Sequence, residues 1–276
     1  MNKVNQAIKE WYSQDLKDRK NWYSSVAAAY NQARPRYHQK LINRVIELTQ
    51  LPPNATILEI GCGPGNATVA FAELGFSLVC IEPSQDMYEF AKQNCAKYPN
   101  VEFINTSLEE YSPEEKRFDA VLAANSIHWI PPEVSYPKIA KALKDDGYLI
   151  LLWNMLPEPN FQTYQILQEV YTKYAPSIQK YEGSISQTET LKGFEEIVIN
   201  SGFFKDIISE SIQCEAIYSI DNYLLLLNTL SHYRKLGESN LETLFTALRE
   251  KIAQHCGETI PIYYLSAFHL AKKILQ

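Results

Sequence analysis

Residues 57–65 read Ile-Leu-Glu-Ile-Gly-Cys-Gly-Pro-Gly, an apolar run that passes straight into a glycine-rich turn, and a helical pattern opens at about Asn66. This arrangement restricts the fold sharply, because a buried strand must end, the backbone must turn tightly and a helix must begin in quick succession. The same rhythm continues downstream. Apolar runs at Thr56–Ile60, Ser77–Ile81, Val101–Ile104, Phe118–Ala123 and Gly147–Trp153 read as buried strands. Helical patterns at Ala67–Leu74, Gln85–Ala96 and Val134–Leu143 fall between them. Continuous apolar strands alternating with helices predict an α/β fold, with a doubly wound, mostly parallel sheet covered on both faces and right-handed crossovers.

The rhythm changes after Trp153. A helix is expected over 160–175, another over 190–201 up to Gly202, and a strand over about 209–218. Two helices, 221–235 and 239–255, precede a last segment at 259–273 that reads as a strand, with a helix over 265–275 as the alternative. Upstream, residues 3–30 carry helix formers, Pro35 disfavours helix at Arg34, and an amphipathic helix spans about Tyr37–Thr49. The expected organisation is one sheet domain, with a cofactor-binding core over 37–153 and the remainder at 190–219 and 259–276. Residues 1–36, 154–189 and 220–258 have no obvious way to fold alone, so they are expected to form a helical cap over the active site.

Composition narrows the partners. Twenty-six basic against 32 acidic residues give a net charge of −6, which argues against a non-specific nucleic-acid or anionic-membrane binder. The five cysteines include no CxxC pair, so zinc ribbons are not expected, and free thiols suit a reducing cytoplasm. The histidines show no ligand spacing and no acidic cluster suggests magnesium, so no metal is expected. The N-terminal residues lack the apolar core of a leader, and the densest apolar runs are about half of what spans a bilayer. A cytoplasmic monomer or homodimer acting on a small molecule is expected.

The glycine turn supplies the chemistry. Gly61 and Gly63 let the backbone approach a ligand closely, and the helix behind them presents free N–H groups. A dinucleotide fingerprint, GxGxxG, would need glycine where Asn66 stands; the pattern here is GxGxG, closed by Gly65. Glu82 ends the second strand, where a carboxylate accepts both hydroxyls of a ribose. Together these favour a nucleoside cofactor without a pyrophosphate, with S-adenosylmethionine as the leading candidate. A nicotinamide-dependent oxidoreductase and a non-catalytic protein that kept the fold remain as alternatives.

At this point ILEIGCGPGNAT (57–68), VCIEPSQDM (79–87) and FDAVLAANSIHWI (118–130) together resemble the class I S-adenosylmethionine-dependent methyltransferases, and AAAYNQARPRY (27–37), Asn125–Trp129 and LNTLSHYRKL (227–236) resemble the trans-aconitate methyltransferase-like group. The resemblance implies a seven-stranded Rossmann-like sheet. It also implies that Gly61, Cys62, Gly63 and Gly65 lie along the cofactor, that Glu82 holds the ribose, and that Pro83, Ser84 and Met87 line the adenine side. The family usually places an acid after the third strand to read the adenine amino group; Ser107 stands there instead, beside Leu108, whose backbone can still serve. Asn125 would end the fourth strand near the sulfonium. Tyr30 and Arg34 would fold back over the cofactor.

On the acceptor side, methyl transfer from a sulfonium is an in-line displacement that chiefly requires alignment and exclusion of water. His128 is the candidate catalytic residue, as a general base or as a pocket residue that orients the acceptor. Trp129 and Tyr37 would line the acceptor pocket. Thr229, His232 and Tyr233 share one face of the expected 221–235 helix and would present polar groups to the acceptor. An oxygen nucleophile, carboxylate or hydroxyl, is expected, with N- or C-methylation of a small metabolite as the alternative.

Overall fold

The computed structural model describes residues 15–178 and 180–275; the first part of the expected N-terminal helical region lies outside them. Parallel strands β1 (Thr56–Ile60), β2 (Ser77–Ile81), β3 (Val101–Ile104), β4 (Phe118–Ala124) and β5 (Leu143–Asn154) alternate with helices α4 (Thr68–Glu73), α5 (Gln85–Asn94) and α6 (Pro132–Ala142). A short helix α1 (Leu16–Asn21), a 3-10 turn (Ser24–Val26), α2 (Ala27–Ala33) and α3 (Gln39–Thr49) precede them. After β5 come β6 (Glu158–Pro159), α7 (Phe161–Tyr174), α8 (Gly183–Asn200), β7 (Phe204–Ser219), α9 (Ile220–Asn228), α10 (Ser231–Arg234), α11 (Glu238–Cys256) and β8 (Thr259–Lys273).

The sheet runs β3-β2-β1-β4-β5-β8-β6, with β7 paired to β8 off that path. Strand order reverses between β1 and β4, so a crevice opens beyond their carboxyl ends, where doubly wound sheets bind ligands. β8 lies antiparallel to β5 and is a strand throughout, not a helix over 265–275. Glu158–Pro159 adds an eighth, two-residue strand to the expected seven. β5 starts at Leu143 rather than Gly147, through a register shift beside Phe118 that lets the chain pair before the glycine.

One face of the sheet packs Leu58, Val121, Leu149 and Leu151 against Ile139 of α6 and Leu191 and Val198 of α8. The other packs Ile57, Leu122, Ile150 and Leu152 against Leu41, Ile42 and Val45 of α3 and Phe71 of α4. Such double burial is why these strands read as unbroken apolar runs.

A third core joins Ala33 of α2, Leu167 and Tyr171 of α7, Tyr223 and Leu226 of α9 and Leu244 and Leu248 of α11 to Ile260 and Ile262 at the start of β8. Asn154, the end of β5, pairs with Ser266. The β8 residues before 266 therefore project past the carboxyl ends of the parallel strands, and the helical layer sits at that end. The expected 221–235 helix is two pieces: Leu230 is extended (ψ 130°) between α9 and α10. Among the described residues no helix is long and apolar enough to cross a membrane, and no group of three or more potential metal ligands gathers.

Candidate active site

A cleft with about 1150 Å³ of empty volume opens beyond the carboxyl ends of β1, β2 and β4. Its floor is the glycine loop, whose Gly61 and Gly63 adopt φ of 63° and 56°, a left-handed conformation that favours glycine. A Cβ on Gly61 would come within 2.8 Å of Ser126 Cβ in the loop after β4, whereas one on Gly63 would meet nothing within 4 Å. Gly61 thus permits two loops to touch, and Gly63 leaves open the space that a ligand would fill. Gly65 is absent from the cleft wall; its α-carbon faces Ala91 and Cys95, and it serves close packing of the loop on α5.

Glu82 stands on the wall, 6% exposed. Its Oε2 accepts from Gly63 N at 2.8 Å and its Oε1 from Ser84 N at 2.9 Å. Burial pushes its pKa up to about 7, against the lowering effect of those two amides. Cys62, Pro83, Ser84, Met87, Ser107 and Leu108 also line the cleft. The Ser107 hydroxyl, however, donates to Glu110 Oε2 at 3.2 Å and accepts from Glu110 N at 3.4 Å, so it is committed within its own turn.

Asn125 adopts φ 52° at the end of β4, a strain that asparagine tolerates. Its Oδ1 accepts from Asn154 N (2.7 Å) and from Tyr37 Oη (2.9 Å), and its Nδ2 donates to the Asn154 carbonyl (2.9 Å). Asn154 Nδ2 in turn donates to the Pro35 carbonyl at 3.0 Å. These bonds hold the 30–37 segment along the cleft, with Tyr30, Arg34 and Tyr37 on its wall. Arg34 donates from Nε to Thr229 Oγ1 at 2.7 Å and from Nη2 to the Thr229 carbonyl at 2.9 Å, and its guanidinium lies 4.8 Å over the Tyr30 ring.

The acceptor-side expectations fare differently. Trp129 and Tyr37 line the cleft; His128, Thr229, His232 and Tyr233 do not. Ile127–Trp129 is a single 3-10 turn, whose successive side chains diverge by about 120°, so His128 and Trp129 cannot both face the ligand. His128 turns behind the sheet end, 5.7 Å from Trp153 and 5.8 Å from Phe194 between ring centres. Its Nδ1 is buried without a hydrogen bond among the described residues. Burial and the nearby Arg34 push its pKa down to about 4. The break at Leu230 destroys the shared helix face. Thr229 is buried and holds Arg34, Tyr233 Oη lies 2.7 Å from Tyr171 Oη inside the helical layer, and His232 packs on Tyr233.

Sequence reasoning missed part of the wall. Leu16, Arg19 and Lys20 of α1, Tyr23, Glu109 and Met155 all contribute to it. α1 is tied down by Arg19 Nη1–Glu109 Oε1 (2.9 Å) and Lys20 Nζ–Glu110 Oε2 (2.6 Å), and Ser24 Oγ lies 2.9 Å from Ser84 Oγ. No motif marks α1. Glu109 and Glu110 directly follow Leu108, but spacing alone gives them no partner. Glu59 of β1 was also passed over. It is fully buried beneath the loop, accepts from Thr68 Oγ1 at 2.6 Å, and is pushed up to about 8 by burial.

Comparison with known proteins gives a consistent picture. Residues 57–147 match the family model described as "Methyltransferase domain". A protein of Mycobacterium tuberculosis described as an uncharacterised methyltransferase is 30% identical over 137 residues, 49% of this chain and 53% of that protein. The chain therefore spans about half the length of such relatives. A methyltransferase-like protein of Schizosaccharomyces pombe is 25% identical over 87% of both chains. Among solved structures, a protein described as a type II methyltransferase from Anaeromyxobacter dehalogenans superposes with a TM-score of 0.62 at 18% identity, covering 87% of this chain and 97% of that one. Phosphoethanolamine N-methyltransferase 2 of Haemonchus contortus, solved with phosphomonomethylethanolamine and S-adenosylhomocysteine, gives 0.53 at 19% identity, over 94% of this chain and 59% of that one. At such identities the two structures speak for the fold. These matches lend no support to the oxidoreductase alternative.

Proposed function

We propose that this chain, with a methyltransferase domain over residues 57–147, is an S-adenosylmethionine-dependent methyltransferase acting on a small-molecule acceptor through an oxygen nucleophile. The observation that carries the reading is Glu82. Its carboxylate is buried at the carboxyl end of β2, on the wall of a cleft floored by a GxGxG loop. A carboxylate so placed accepts the two hydroxyls of a ribose. The open space beside Gly63 fits a cofactor that passes over the loop. The rest of the wall fits the remaining parts of such a cofactor, with Pro83, Met87 and Leu108 offering apolar surface for a base.

When bound, the cofactor supplies a methyl group activated on a sulfonium. The chain's own work is alignment and exclusion of water. Tyr30, Arg34 and Tyr37 form the wall nearest Asn125, tied to the sheet end and to the helical layer. With His128 behind the sheet end, the described lining residues include no histidine to serve as a general base. This favours a carboxylate over a hydroxyl, since a carboxylate needs no general base. The Arg34 guanidinium suits it as a partner. The net charge of −6 suits a small acceptor better than a nucleic acid.

The test is transfer of a labelled methyl group to a panel of small carboxylic acids, alcohols and amines. Label recovered in a base-labile ester is the expected result. Label in an amine, an ether or a carbon–carbon product would contradict the carboxylate reading.

A further inference from the structure

The chain ahead of β1 and the turn after β4 bring three aromatic rings together on the cleft wall. Tyr23 meets Tyr30 and Trp129 edge-to-face, with 5.4 Å between ring centres in each pair, and all three line the cleft, as do Ile130, Met155 and Pro157. The wall also carries the cations Arg19, Lys20 and Arg34. Arg19 is paired with Glu109 at 2.9 Å and Lys20 with Glu110 at 2.6 Å. Arg34 pairs with no acid among the described residues; its Nε and Nη2 donate to the hydroxyl and carbonyl oxygens of Thr229. Those two bonds leave the other N–H donors of the guanidinium for a ligand, and they fix it 4.8 Å over the Tyr30 ring, at one end of the aromatic patch. The cleft therefore offers one uncompensated positive charge bordered by rings. A ligand carboxylate at Arg34 has its charge matched. A second carboxylate on the same ligand would lose its water against the rings with no cation to meet it, or would have to displace Glu109 or Glu110 from its partner.

We propose that the methyl acceptor is an aromatic monocarboxylic acid, with its carboxylate at Arg34 and its ring packed among Tyr23, Tyr30 and Trp129. The proposal rests on the carboxylate reading above and narrows it to one class of acid. Ring-on-ring contacts add attraction beyond the area they bury, so the patch favours an aromatic body over a saturated one of the same size. The carboxylate oxygen that Arg34 leaves free bonds to the methyl carbon as the carbon–sulfur bond breaks, and that bond's electron pair stays on sulfur. The carboxylate and sulfonium charges cancel, a neutral methyl ester and a thioether result, and no proton moves.

The test compares three acids built on one skeleton: 3-phenylpropanoate, 3-cyclohexylpropanoate and 3-(4-carboxyphenyl)propanoate. The readout is kcat/KM for transfer of a labelled methyl group by the full chain. The phenyl acid is expected to exceed the cyclohexyl acid several-fold, through its ring contacts, and the dicarboxylate at least tenfold, through the unpaired second charge. Trp129→Leu and Tyr23→Leu keep apolar bulk but remove a ring, so each should shrink the preference for phenyl over cyclohexyl while S-adenosylhomocysteine binds as before. Unliganded melting temperatures identify a variant that is merely unfolded, and the other variant then carries the comparison. Equal or faster turnover of the cyclohexyl acid or the dicarboxylate, or folded ring variants that keep the wild-type preference, would overturn this assignment alone. A wild type that binds S-adenosylhomocysteine but forms an ester with no acid would overturn the carboxylate reading with it.

Discussion

Burying the Glu82 carboxyl takes it out of water, and only two backbone amides offset that loss. The result is a pKa pushed up to about 7, against about 4.3 for an unperturbed glutamate. Ribose hydroxyls donate to the ionised form, so cofactor binding should pull the pKa back down. Below about pH 7 the free protein holds a proton that the complex releases, and affinity should therefore fall as pH falls through that range. Titrations with S-adenosylhomocysteine in buffers of different ionisation enthalpy should show proton release that is larger at pH 6 than at pH 8. Equal heats in all buffers at pH 6 would show that Glu82 does not touch the ligand. Gly63 makes a complementary prediction. Valine there would fill the ligand's space and strain a φ of 56°, so Gly63→Val should abolish binding while the protein still melts cooperatively. Retained affinity would remove the loop from the site.

Two short elements decide the acceptor side, and both escape a reading by periodicity. The turn at Ile127–Trp129 is three residues long, too short for any pattern to tell which side chain faces the cleft. The break at Leu230 falls between two helical stretches whose apolar spacing runs on without Gly or Pro, so one helix was the natural reading. By contrast, β1 to β5 and the glycine loop were readable because doubly buried strands leave continuous apolar runs and a tight turn needs glycine. The packing of His128 outside the cleft lining has a kinetic consequence. His128→Phe should bind S-adenosylhomocysteine normally and keep turnover within a few-fold, because the ring packs rather than reacts. A loss of about 100-fold or more, at unchanged affinity, would reinstate a proton-transfer role. The same variant should resist acid better. A histidine held down near 4 in the fold, against its usual 6.5, favours folding above pH 6.5 and loses that contribution as pH falls toward 4. Melting curves of the two proteins at pH 5 and 7 measure the difference.

At the scale of the molecule, sequence pattern marks the alternating strands but misses that Glu158–Pro159, within one of the expected cap blocks, joins the sheet, and it cannot show how the blocks outside the alternation meet. Their joint core of Ala33, Tyr171, Leu226 and Leu248 gathers residues far apart in the chain, and contacts of that range leave no local periodicity. Nor could pattern show that Arg34 is held by Thr229, across 195 positions. The arrangement puts the helical layer at the carboxyl ends of the parallel strands, beside the cleft, so that one wall comes from the sheet and another from the chain around it. On the proposed function, this cleft takes an adenosyl cofactor rather than a dinucleotide, with Glu82 as its anchor. The most direct measurement is isothermal titration of wild type and Glu82→Ala with S-adenosylhomocysteine and with NAD. Saturable one-to-one binding of S-adenosylhomocysteine to the wild type is expected, with at least tenfold weaker binding to a folded Glu82→Ala and no binding of NAD. Wild-type affinity in Glu82→Ala, or binding of NAD in place of S-adenosylhomocysteine, would contradict it.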